Sequence, residues 1–452
     1  MRALSKRQLF ELANARRSEY EKLLKALVEI PTVSADPIHA GDIRQAADLI
    51  GSMVADFGGI SHLHETGGHP LMHAIFDTDR SLPTITLYNH MDVQPASRQD
   101  EPWRTDPFKL TIKGDRYFGR GTTDDKGPAL AGLLAVREAR RLGMKLNFRL
   151  LWESEEETGS ENFERTLRRI RKEARTDRIV VSDTGWISRK KPSITAGLRG
   201  YQGFDFVLKT GEGDQHSGGA GGAARNPLAE LMQLMCEIHD AKTGRVKIPG
   251  FYDAVVPPSP GELRDFRNCG FTVEDFKKDH SLDSLRTENP LDVMKRIWAL
   301  PTFEIHGVAG GYSGAGTKAI IPPEAEIKTS CRLVPNQDPD EIVRMVQSFC
   351  KRINPDVIVK RGASNPPYKG RPDPLLKSAM QFAFGIEPAF VRDGGSIGTV
   401  LSMEKILKCP VSFLGLSLPE HGYHAPNENF DWRQASGGIV AFLKYFELFS
   451  ES

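Results

Sequence analysis

Short apolar runs alternate with helix-like segments in the first part of the chain. The stretches DIRQAADLIGSMVADFGG (42–59) and KGPALAGLLAVREARRLG (126–143) repeat apolar residues with a helical period and end at glycines, which commonly terminate helices. The runs TITLYNH (84–90), NFRLLWES (147–154) and RIVVSD (178–183) have the length and composition of buried strands. Alternation of this kind predicts an α/β fold with a mixed, mostly parallel sheet flanked by helices.

The middle of the chain has a different pattern, and the first pattern returns near the end. Strand-like alternation occurs in GLRGYQGFDFVLKT (197–210) and AEIKTSCRLVP (325–335), and helical periods occur in NPLAELMQLMCEIHDA (226–241) and DEIVRMVQSFCKRI (340–353). The last part contains the helices PLLKSAMQFAFG (374–385) and ASGGIVAFLKYFELF (435–449) and the strand CPVSFLGL (409–416). This order predicts a smaller α+β unit inserted into a discontinuous α/β domain.

The chain length supports that division. A single core stops growing at roughly 250–300 residues, and this chain has 452. We predict that residues 1–195 and 362–452 form the discontinuous α/β domain and that residues 196–361 form the inserted one. The proline-rich piece VVPPSPGEL (255–263) is predicted to be a loop of the inserted domain.

Composition narrows the class of partner. The 60 Lys and Arg residues nearly balance the 59 Asp and Glu residues, which gives a formal net charge of +1. A dedicated nucleic-acid or membrane-surface protein usually carries a strong basic excess, so we expect no nucleic acid and no membrane as partners. A small molecule is the expected partner.

The cysteines and the N-terminal stretch indicate in which cellular compartment the protein is expected. The five cysteines are widely spread and form no CxxC pair, which argues against a disulfide framework or a structural zinc finger. Residues 1–31 are charged and resemble one amphipathic helix, without the apolar core of a signal peptide or a membrane span. We therefore expect a soluble, cytoplasmic protein.

Polar side chains follow the predicted strands, at the edge of an α/β sheet where ligands bind. His90 and Asp92 follow one strand, and Asp183 ends another. Asp124 and Asp125 lie in the glycine-rich turn GRGTTDDKGP before a helix. That turn satisfies no phosphate-binding motif, and two carboxylates would repel phosphate. Taken alone, the pair His90 and Asp92 is more typical of a structural hydrogen bond than of a metal site.

Two further segments add acidic and imidazole groups. In ESEEETGSE we interpret Glu153, Glu155 and Glu161 as a solvated charge run. Glu156 and Glu157, at the following turn, are candidates for a metal ligand and a proton carrier. The loop EHGYHAPNENF offers two histidines. Together these nitrogen and oxygen donors form a set that suits Zn²⁺.

Taken in order, the motifs HMD, GRGTTDDKG, EEETGS, SDTGW, GDQHSGG and HAPNE resemble those of the co-catalytic dizinc metallopeptidases and amidohydrolases. This family includes carnosine dipeptidase, glutamate carboxypeptidase, aminoacylase and succinyl-diaminopimelate desuccinylase. The stretches HMDVQP, GRGTTDDKGP, KKPSITAGLRG and CRLVPNQDP are most similar to the dipeptidase branch. The resemblance covers nearly the whole chain and implies a catalytic domain with an inserted lid and dimerisation domain.

The resemblance implies two Zn²⁺ ions per subunit, with Mn²⁺ or Co²⁺ as alternatives, because such ligands accept several divalent ions. Asp124 would bridge the two ions. His90 and Asp183 would complete one ion's ligand set, and Glu157 and His424 would complete the other's.

Three catalytic roles are implied in the same way. Glu156 would be the general base for a hydroxide shared by the two ions, and Asp92 would orient His90. His216, in GDQHSGG, would donate to the oxyanion in the active site of the other subunit of a homodimer formed through the lid. His421 has no counterpart in the family and is expected to be structural.

The resemblance also implies a substrate-binding group. Arg332 would bind the carboxylate end of a peptide, because a planar guanidinium suits a carboxylate bidentately. Ser396 and Gly395, in RDGGSIGTV, would lie at the substrate pocket, and Asn226 and Thr317 are weaker candidates.

We therefore predict a metal-dependent enzyme that hydrolyses the amide bond of dipeptides or short peptides with a free C-terminal carboxylate. One alternative is an N-acyl-amino-acid deacylase, which would use the same metals and Arg332. The other is a non-catalytic metal- or peptide-binding protein, which would have no need of a general base at Glu156.

Overall fold

The computed structural model describes residues 4–452; the first three residues of the predicted N-terminal helix lie outside this range. Its α-helices are α1 (Lys6–Asn14), α2 (Arg17–Val28), α3 (Ala40–Asp56), α4 (Lys126–Arg141), α5 (Phe163–Ile170), α6 (Ser217–Ala220), α7 (Pro227–Ile238), α8 (Pro260–Asn268), α9 (Val273–Asp279), α10 (Pro290–Trp298), α11 (Pro339–Ile353), α12 (Pro374–Phe384), α13 (Thr399–Leu407) and α14 (Trp432–Ser450). Short 3₁₀ turns occur at Pro37–His39, Glu156–Thr158 and Pro419–His421.

The strands form sheets of very different size. In chain order they are β1 (Ile60–His64), β2 (Leu71–Phe76), β3 (Thr84–His90), β4 (Thr111–Lys113), β5 (Arg116–Phe118), β6 (Asn147–Glu153), β7 (Arg178–Val181), β8 (Ser193–Leu198), β9 (Gly200–Lys209), β10 (Gln215–His216), β11 (His239–Asp240), β12 (Arg245–Val246), β13 (Thr302–Ala309), β14 (Ile320–Ile321), β15 (Glu324–Leu333), β16 (Ile358–Asn365), β17 (Tyr368–Lys369), β18 (Ala389–Asp393), β19 (Val411–Phe413) and β20 (Asn429–Asp431).

The main sheet has six strands in the order β1-β2-β6-β3-β7-β19. The pairs β6–β3, β3–β7 and β7–β19 are parallel, and the pairs β1–β2 and β2–β6 are antiparallel. All seven residues of β3 are buried, as expected for a central strand with helices on both faces. The predicted mixed, mostly parallel sheet is confirmed.

Helices cover both faces of the main sheet. On one face, α4 packs against β3 and is itself covered by α2 and α14, which explains why nearly all of α4 is buried. On the other face, α5 and α13 pack against each other over a separate apolar cluster. In α14 the backbone approaches its neighbour so closely that a Cβ at Gly438 would lie 2.4 Å from Leu416 Cδ1.

The second large sheet is formed by the middle of the chain. Its four strands have the order β13-β15-β9-β16, and every pair is antiparallel. Helices α7 and α11 pack on it and enclose a second apolar core. This α+β unit has the predicted architecture. The boundaries at residues 195 and 361 stay a prediction, and β16 continues to Asn365.

Two local predictions are wrong. The N-terminal stretch forms two helices, α1 and α2, instead of one; their junction contains neither glycine nor proline, and Asn14 there accepts a hydrogen bond from the Trp432 indole at 3.1 Å. A tertiary contact therefore accompanies a break that the periodicity does not indicate. The segment VVPPSPGEL is only partly a loop, because Ser259 and Glu262 form a capping box that begins α8 at Pro260.

The structure bears on the predictions made from the cysteines and from the lack of a membrane span. All five cysteines are free, and only Cys236 is exposed, so the predicted absence of a disulfide framework is confirmed. Within residues 4–452, no helix is long and apolar enough to cross a membrane. The cytoplasmic location stays a prediction.

Candidate metal centre and active site

Functional side chains converge where the parallel strands of the main sheet end. His90 is the last residue of β3, and Glu153 is the last residue of β6. Asp183 lies two positions beyond the end of β7. Neighbouring parallel strands bring their carboxyl ends to one edge, which is where open α/β sheets bind ligands.

Two groups of potential metal ligands share one carboxylate. His90, Asp124 and Asp183 form one group, and Asp124, Glu157 and His424 form the other; within each group the ligand atoms lie within 4.8 Å of one another. Asp124 Oδ1 is 3.0 Å from His90 Nε2, and its Oδ2 is 3.0 Å from His424 Nε2. Each oxygen of Asp124 therefore faces a different group.

The electrostatics of this cluster favour positive charge. Hydrogen bonds to Asp124 and Glu157 raise the pKa of His424 to about 10. Burial opposes charge on His90, yet hydrogen bonds to Asp124 and Asp92 raise its pKa well above the usual range. An imidazole that is stabilised as a cation marks a position where a metal ion would be stabilised too. The donor set of two histidines and three carboxylates fits divalent ions such as Zn²⁺.

The buried carboxylates beside the ligand groups are destabilised in their charged form. Burial raises the pKa of Asp183 well above its usual range, and His90 only partly opposes this. Burial likewise raises the pKa of Glu156, with a further increase from the neighbouring Glu157. Several buried negative charges at short range need cations or protons to offset them.

Asp92 connects the end of β3 to the turn that carries the acidic pair. His90 Nδ1 lies 3.0 Å from the main-chain oxygen of Asp92 and 3.5 Å from its Oδ1. An Nδ1–H donor in this position would leave Nε2 of the neutral ring free to bind a metal ion in place of a proton. The Asp92 carboxylate also accepts hydrogen bonds from Ser34 Oγ at 2.7 Å and from the main-chain N–H groups of Glu156 and Glu157 at 3.2 and 3.1 Å.

Glu428 holds the turn that presents Asp124. This buried carboxylate accepts main-chain hydrogen bonds from Gly121 and Thr123, both at 2.9 Å, and from Asp124 at 3.1 Å. It also pairs with Arg120 at 2.9 Å. The peptide bond between Asp124 and the next residue is cis. Sequence reasoning quoted Glu428 only as part of HAPNE and gave it no role.

Two acidic residues that we interpreted as solvated are buried, so that prediction is wrong. Glu153 is 2% exposed and accepts a hydrogen bond from Tyr88. Glu155 is also buried and accepts hydrogen bonds from the His69 main-chain N–H at 2.8 Å and from Asn162 Nδ2 at 3.0 Å. These partners lie far away along the chain or across a turn, where a charge-run pattern gives no signal. Glu161 is exposed, as predicted.

His421 and His424 lie on the same loop and have different surroundings. His421 is buried, its Nδ1 accepts a hydrogen bond from the Leu418 N–H at 3.1 Å, and its Nε2 is 3.2 Å from Asp431 Oδ2. His424 faces the shared carboxylate and keeps a side chain that is 55% exposed. Only His424 belongs to a ligand group.

The cluster opens into a cavity of about 650 Å³. Its acidic end is formed by Asp124, Glu156 and Asp183, and its wall includes the predicted pocket residues Gly395 and Ser396. Aromatic side chains form much of the remaining wall: Trp186, Phe271, Phe276, Trp298 and Tyr423. The cavity therefore combines a charged end with apolar surface, as ligand sites commonly do.

Two guanidinium groups lie beside this cavity. Arg332 donates to Ser396 Oγ at 3.3 Å and lies over the Tyr201 ring. Arg199, which sequence reasoning missed, lines the cavity and donates to the main-chain oxygens of Gly394 and Arg296, both at 3.3 Å. Burial and the neighbouring Arg332 lower the pKa of Arg199 to about 10. In the described part of the chain neither guanidinium is within salt-bridge distance of a carboxylate, so together they favour an anion. The only sequence signal for Arg199 was its place in GLRG.

Of the residues predicted to contact the substrate, Arg332 is hydrogen-bonded to Ser396 in the cavity wall, whereas three others neither line the cavity nor form a hydrogen bond to its wall within residues 4–452. His216 is exposed in β10, and its Nδ1 accepts a hydrogen bond from the Gly218 N–H at 2.9 Å. Asn226 caps α7 through its side-chain oxygen. Thr317 lies in an exposed loop. All three belong to the inserted unit, and the structure does not bring them to the ligand groups of the same chain.

Comparison with known proteins gives a consistent result. Residues 86–448 match the model of Peptidase family M20/M25/M40. The chain is 33% identical to the Cys-Gly metallodipeptidase dug1 of Schizosaccharomyces pombe, over 97% of this chain and 97% of that protein. It is 31% identical to the Beta-Ala-His dipeptidase of Homo sapiens, over 97% of this chain and 92% of that protein.

Solved structures agree over the whole length. The di-peptidase Dug1p from Saccharomyces cerevisiae matches with a TM-score of 0.86 at 27% identity, covering 99% of both chains. Human carnosine dipeptidase 1 matches with a TM-score of 0.82 at 27% identity, covering 99% of this chain and 100% of that chain. The resemblance inferred from the motifs is confirmed. The chain therefore belongs to peptidase family M20/M25/M40, in its dipeptidase branch, and is a metal-dependent peptidase.

Proposed function

We propose that this protein hydrolyses the peptide bond of dipeptides or short peptides that have a free C-terminal carboxylate. The observation that carries the proposal is the sharing of Asp124 by two ligand groups at the end of a cavity that also contains Glu156. The relatives named for Cys-Gly and Beta-Ala-His dipeptides support small peptides as the substrate class.

Two divalent ions would be held at the shared carboxylate. His90 and Asp183 would complete one ligand set with Asp124, and Glu157 and His424 would complete the other. Zn²⁺ suits these ligands, and Mn²⁺ or Co²⁺ would be accepted by the same donors. When bound, such ions polarise the amide carbonyl and lower the pKa of a bound water.

Glu156 is the proposed general base. Its carboxylate lies in the cavity wall next to the ligand groups, and among residues 4–452 it has no hydrogen-bond donor of its own. Its main-chain N–H is fixed by the Asp92 carboxylate at 3.2 Å. Glu156 can therefore take the proton of the attacking water at its carboxylate and give it to the departing amine.

The two guanidinium groups would bind the other end of the substrate. Arg332 and Arg199 form hydrogen bonds only to uncharged oxygens, and Ser396 Oγ accepts from the Arg332 guanidinium and donates to the Arg199 main-chain oxygen at 2.5 Å. A carboxylate would supply the missing negative charge, and the bidentate geometry of Arg suits it. Gly395 would let the backbone approach the ligand.

His216 would act in the partner subunit of a homodimer formed through the inserted lid domain. Its Nδ1 accepts the Gly218 N–H, so in the neutral ring the proton is on Nε2, which has no hydrogen-bond partner within residues 4–452. The ring is exposed and does not line the cavity of its own chain. An oxyanion in the partner's active site is a suitable acceptor. Asn226 and Thr317, which belong to the same lid, are proposed to contribute to that shared site.

The substrate proposal predicts a clear order of activity. Unblocked dipeptides should be hydrolysed, and the same dipeptides with a C-terminal amide should lose roughly one to two orders of magnitude in kcat/KM, because Arg332 and Arg199 then lack a charged partner. Kinetic assays of matched pairs would measure this. Turnover of N-acetyl amino acids with none of dipeptides would instead favour the deacylase alternative.

Replacing Glu156 by Gln should separate catalysis from metal binding. The change keeps the shape of the side chain and removes the base, so we expect kcat to fall about 10²–10⁴-fold. Metal content, measured by elemental analysis, should stay unchanged, because Glu156 belongs to neither ligand group. Glu161→Gln, which removes an exposed acid from the same segment, is the control. Wild-type turnover in Glu156→Gln would exclude this role.

Asp92→Asn should weaken metal affinity by about 10–100-fold, since an outer partner of a ligating histidine is altered. The amide also presents a donor where the carboxylate now accepts N–H groups. Competition with a chelator would measure the affinity. Ser34→Ala, which removes one hydrogen bond to Asp92 and leaves its charge, should have a smaller effect. Equal effects of both substitutions would contradict the role of Asp92.

The role of His216 across the dimer can be tested with mixed dimers. His216→Ala should lower kcat about 10²–10³-fold, as expected for loss of one oxyanion donor. A heterodimer of one Glu156→Gln subunit and one His216→Ala subunit should regain about half of the wild-type turnover, because one site then has both groups. If His216 acted within its own chain, that heterodimer would be inactive. Sedimentation would confirm that each variant is dimeric.

A further inference from the structure

Three histidines lie side by side at the free edge of the main sheet, away from the ligand groups described above. His62 and His64 are two positions apart in β1, so their side chains leave the same face of the strand. His73 in β2 is directly opposite His62 in the antiparallel register. The ring centroids are 5.9 Å apart for His64 and His73, 6.3 Å for His62 and His64, and 6.5 Å for His62 and His73.

The inner imidazoles lack hydrogen-bond partners. His73 is 0% exposed, and both of its ring nitrogens are without a partner among residues 4–452. His64 is half-exposed, and its buried Nε2 also has no hydrogen-bond partner among these residues. Buried polar atoms normally have a partner, and an exception calls for an explanation such as a bound ion. Here the unpaired atoms belong to neighbouring rings of the residue type that most often binds transition metals.

We propose that His62, His64 and His73 form a third metal site, which binds a transition-metal ion such as Zn²⁺ or Cu²⁺. Imidazole nitrogens suit these ions, and a set without oxygen donors disfavours Mg²⁺ and Ca²⁺. Strands β2 and β6 separate β1 from β3, which ends at His90. The three-histidine site is therefore distinct from the catalytic centre.

Metal binding requires the rings to turn, because the nitrogens of these three histidines do not yet lie within 4.8 Å of one another. Metal–nitrogen bonds of about 2.0–2.1 Å would bring the rings roughly 1 Å closer together than they are now. His73 is fixed by burial, whereas His62 is exposed and His64 is half-exposed. The two outer rings can therefore turn toward the inner one. Burial lowers the pKa of His73 to about 3, so its ring is neutral and keeps a lone pair for a metal.

Nearby positively charged groups lower the affinity for metal that we expect of the three-histidine site. Arg149 and Arg169 lie near enough to disfavour positive charge on His73 and His64, and Glu173 has the opposite effect on His64. Arg149 is paired with Asp77 at 2.6 Å, which offsets part of its charge. We therefore expect this site to bind metal more weakly than the catalytic centre does.

The proposal is tested by counting metal ions on the intact enzyme. Protein with a fully loaded catalytic centre should bind one further equivalent of Zn²⁺ in equilibrium dialysis followed by elemental analysis. His62→Gln and His64→Gln should each weaken this additional binding at least tenfold. Ile60→Gln is the matched control, because Ile60 is an exposed residue of the same strand and face; it should retain the additional equivalent.

A spectroscopic measurement identifies the ligands. With Zn²⁺ in the catalytic centre, one equivalent of Cu²⁺ should give an electron paramagnetic resonance signal with nitrogen coupling, and the His62→Gln, His64→Gln double variant should lose it. Both substitutions are at solvent-accessible positions, and dipeptidase activity should stay at the wild-type level. The proposal is overturned if the wild type binds no additional ion, or if the double variant binds it as well as Ile60→Gln does.

Discussion

Burial of several carboxylates around Asp124 is the constraint on which the active-site end of this protein depends. Removing a carboxylate from water costs several kcal/mol unless opposite charge or hydrogen bonds replace the lost hydration. Asp124 has a histidine against each of its oxygens, while burial raises the pKa values of Asp183 and Glu156. The proposed cations would stabilise all of these groups at once. Metal binding and stability of this end of the sheet are therefore expected to be coupled.

Hydrogen-bond partners divide the acidic residues of this region into two kinds. Asp92, Glu155 and Glu428 are buried and accept hydrogen bonds from main-chain N–H groups. These three fix the turns that carry the other acids. Asp183 and Glu156 have no such donors among the described residues and face the cavity. The first kind supplies rigidity, and the second kind is left free to bind a cation or to transfer a proton.

The sequence predicted the fold better than it predicted the environment of single side chains. Period and length identified β3, β6 and α4 because a central strand and the helix against it are buried almost throughout. The roles of His216 and Arg332 came from resemblance alone. Glu153 and Glu155 were misjudged because their burial depends on Tyr88, His69 and Asn162, which are distant in sequence or lie across a turn. Partners of this kind leave no periodic signal in the chain.

Arg199 and the three histidines were missed for a related reason. The alternation of His62 and His64 fits any edge strand, and only the register of β1 with β2 brings His73 opposite His62. Likewise, Arg199 is one arginine among many until the turn at Gly394 and the strand that carries Arg332 come beside it. Contacts between residues that are distant in the sequence bring together both the three histidines and the pair Arg199 and Arg332. Local composition therefore cannot reveal them.

Negative and positive charges are separated along the cavity. One end contains Asp124, Asp183 and Glu156, and the other side contains Arg199 with Arg332 beside it. A peptide bound with its carboxylate toward the arginines gains two favourable charges, whereas the reversed peptide would bring its carboxylate toward the acidic residues. The ions proposed at Asp124 would offset that repulsion, and the preference would then rest on the two arginines, which have no carboxylate within salt-bridge distance among residues 4–452. In the proposed function the arginines would set the orientation of the substrate and leave the acidic end for the chemistry of the amide bond.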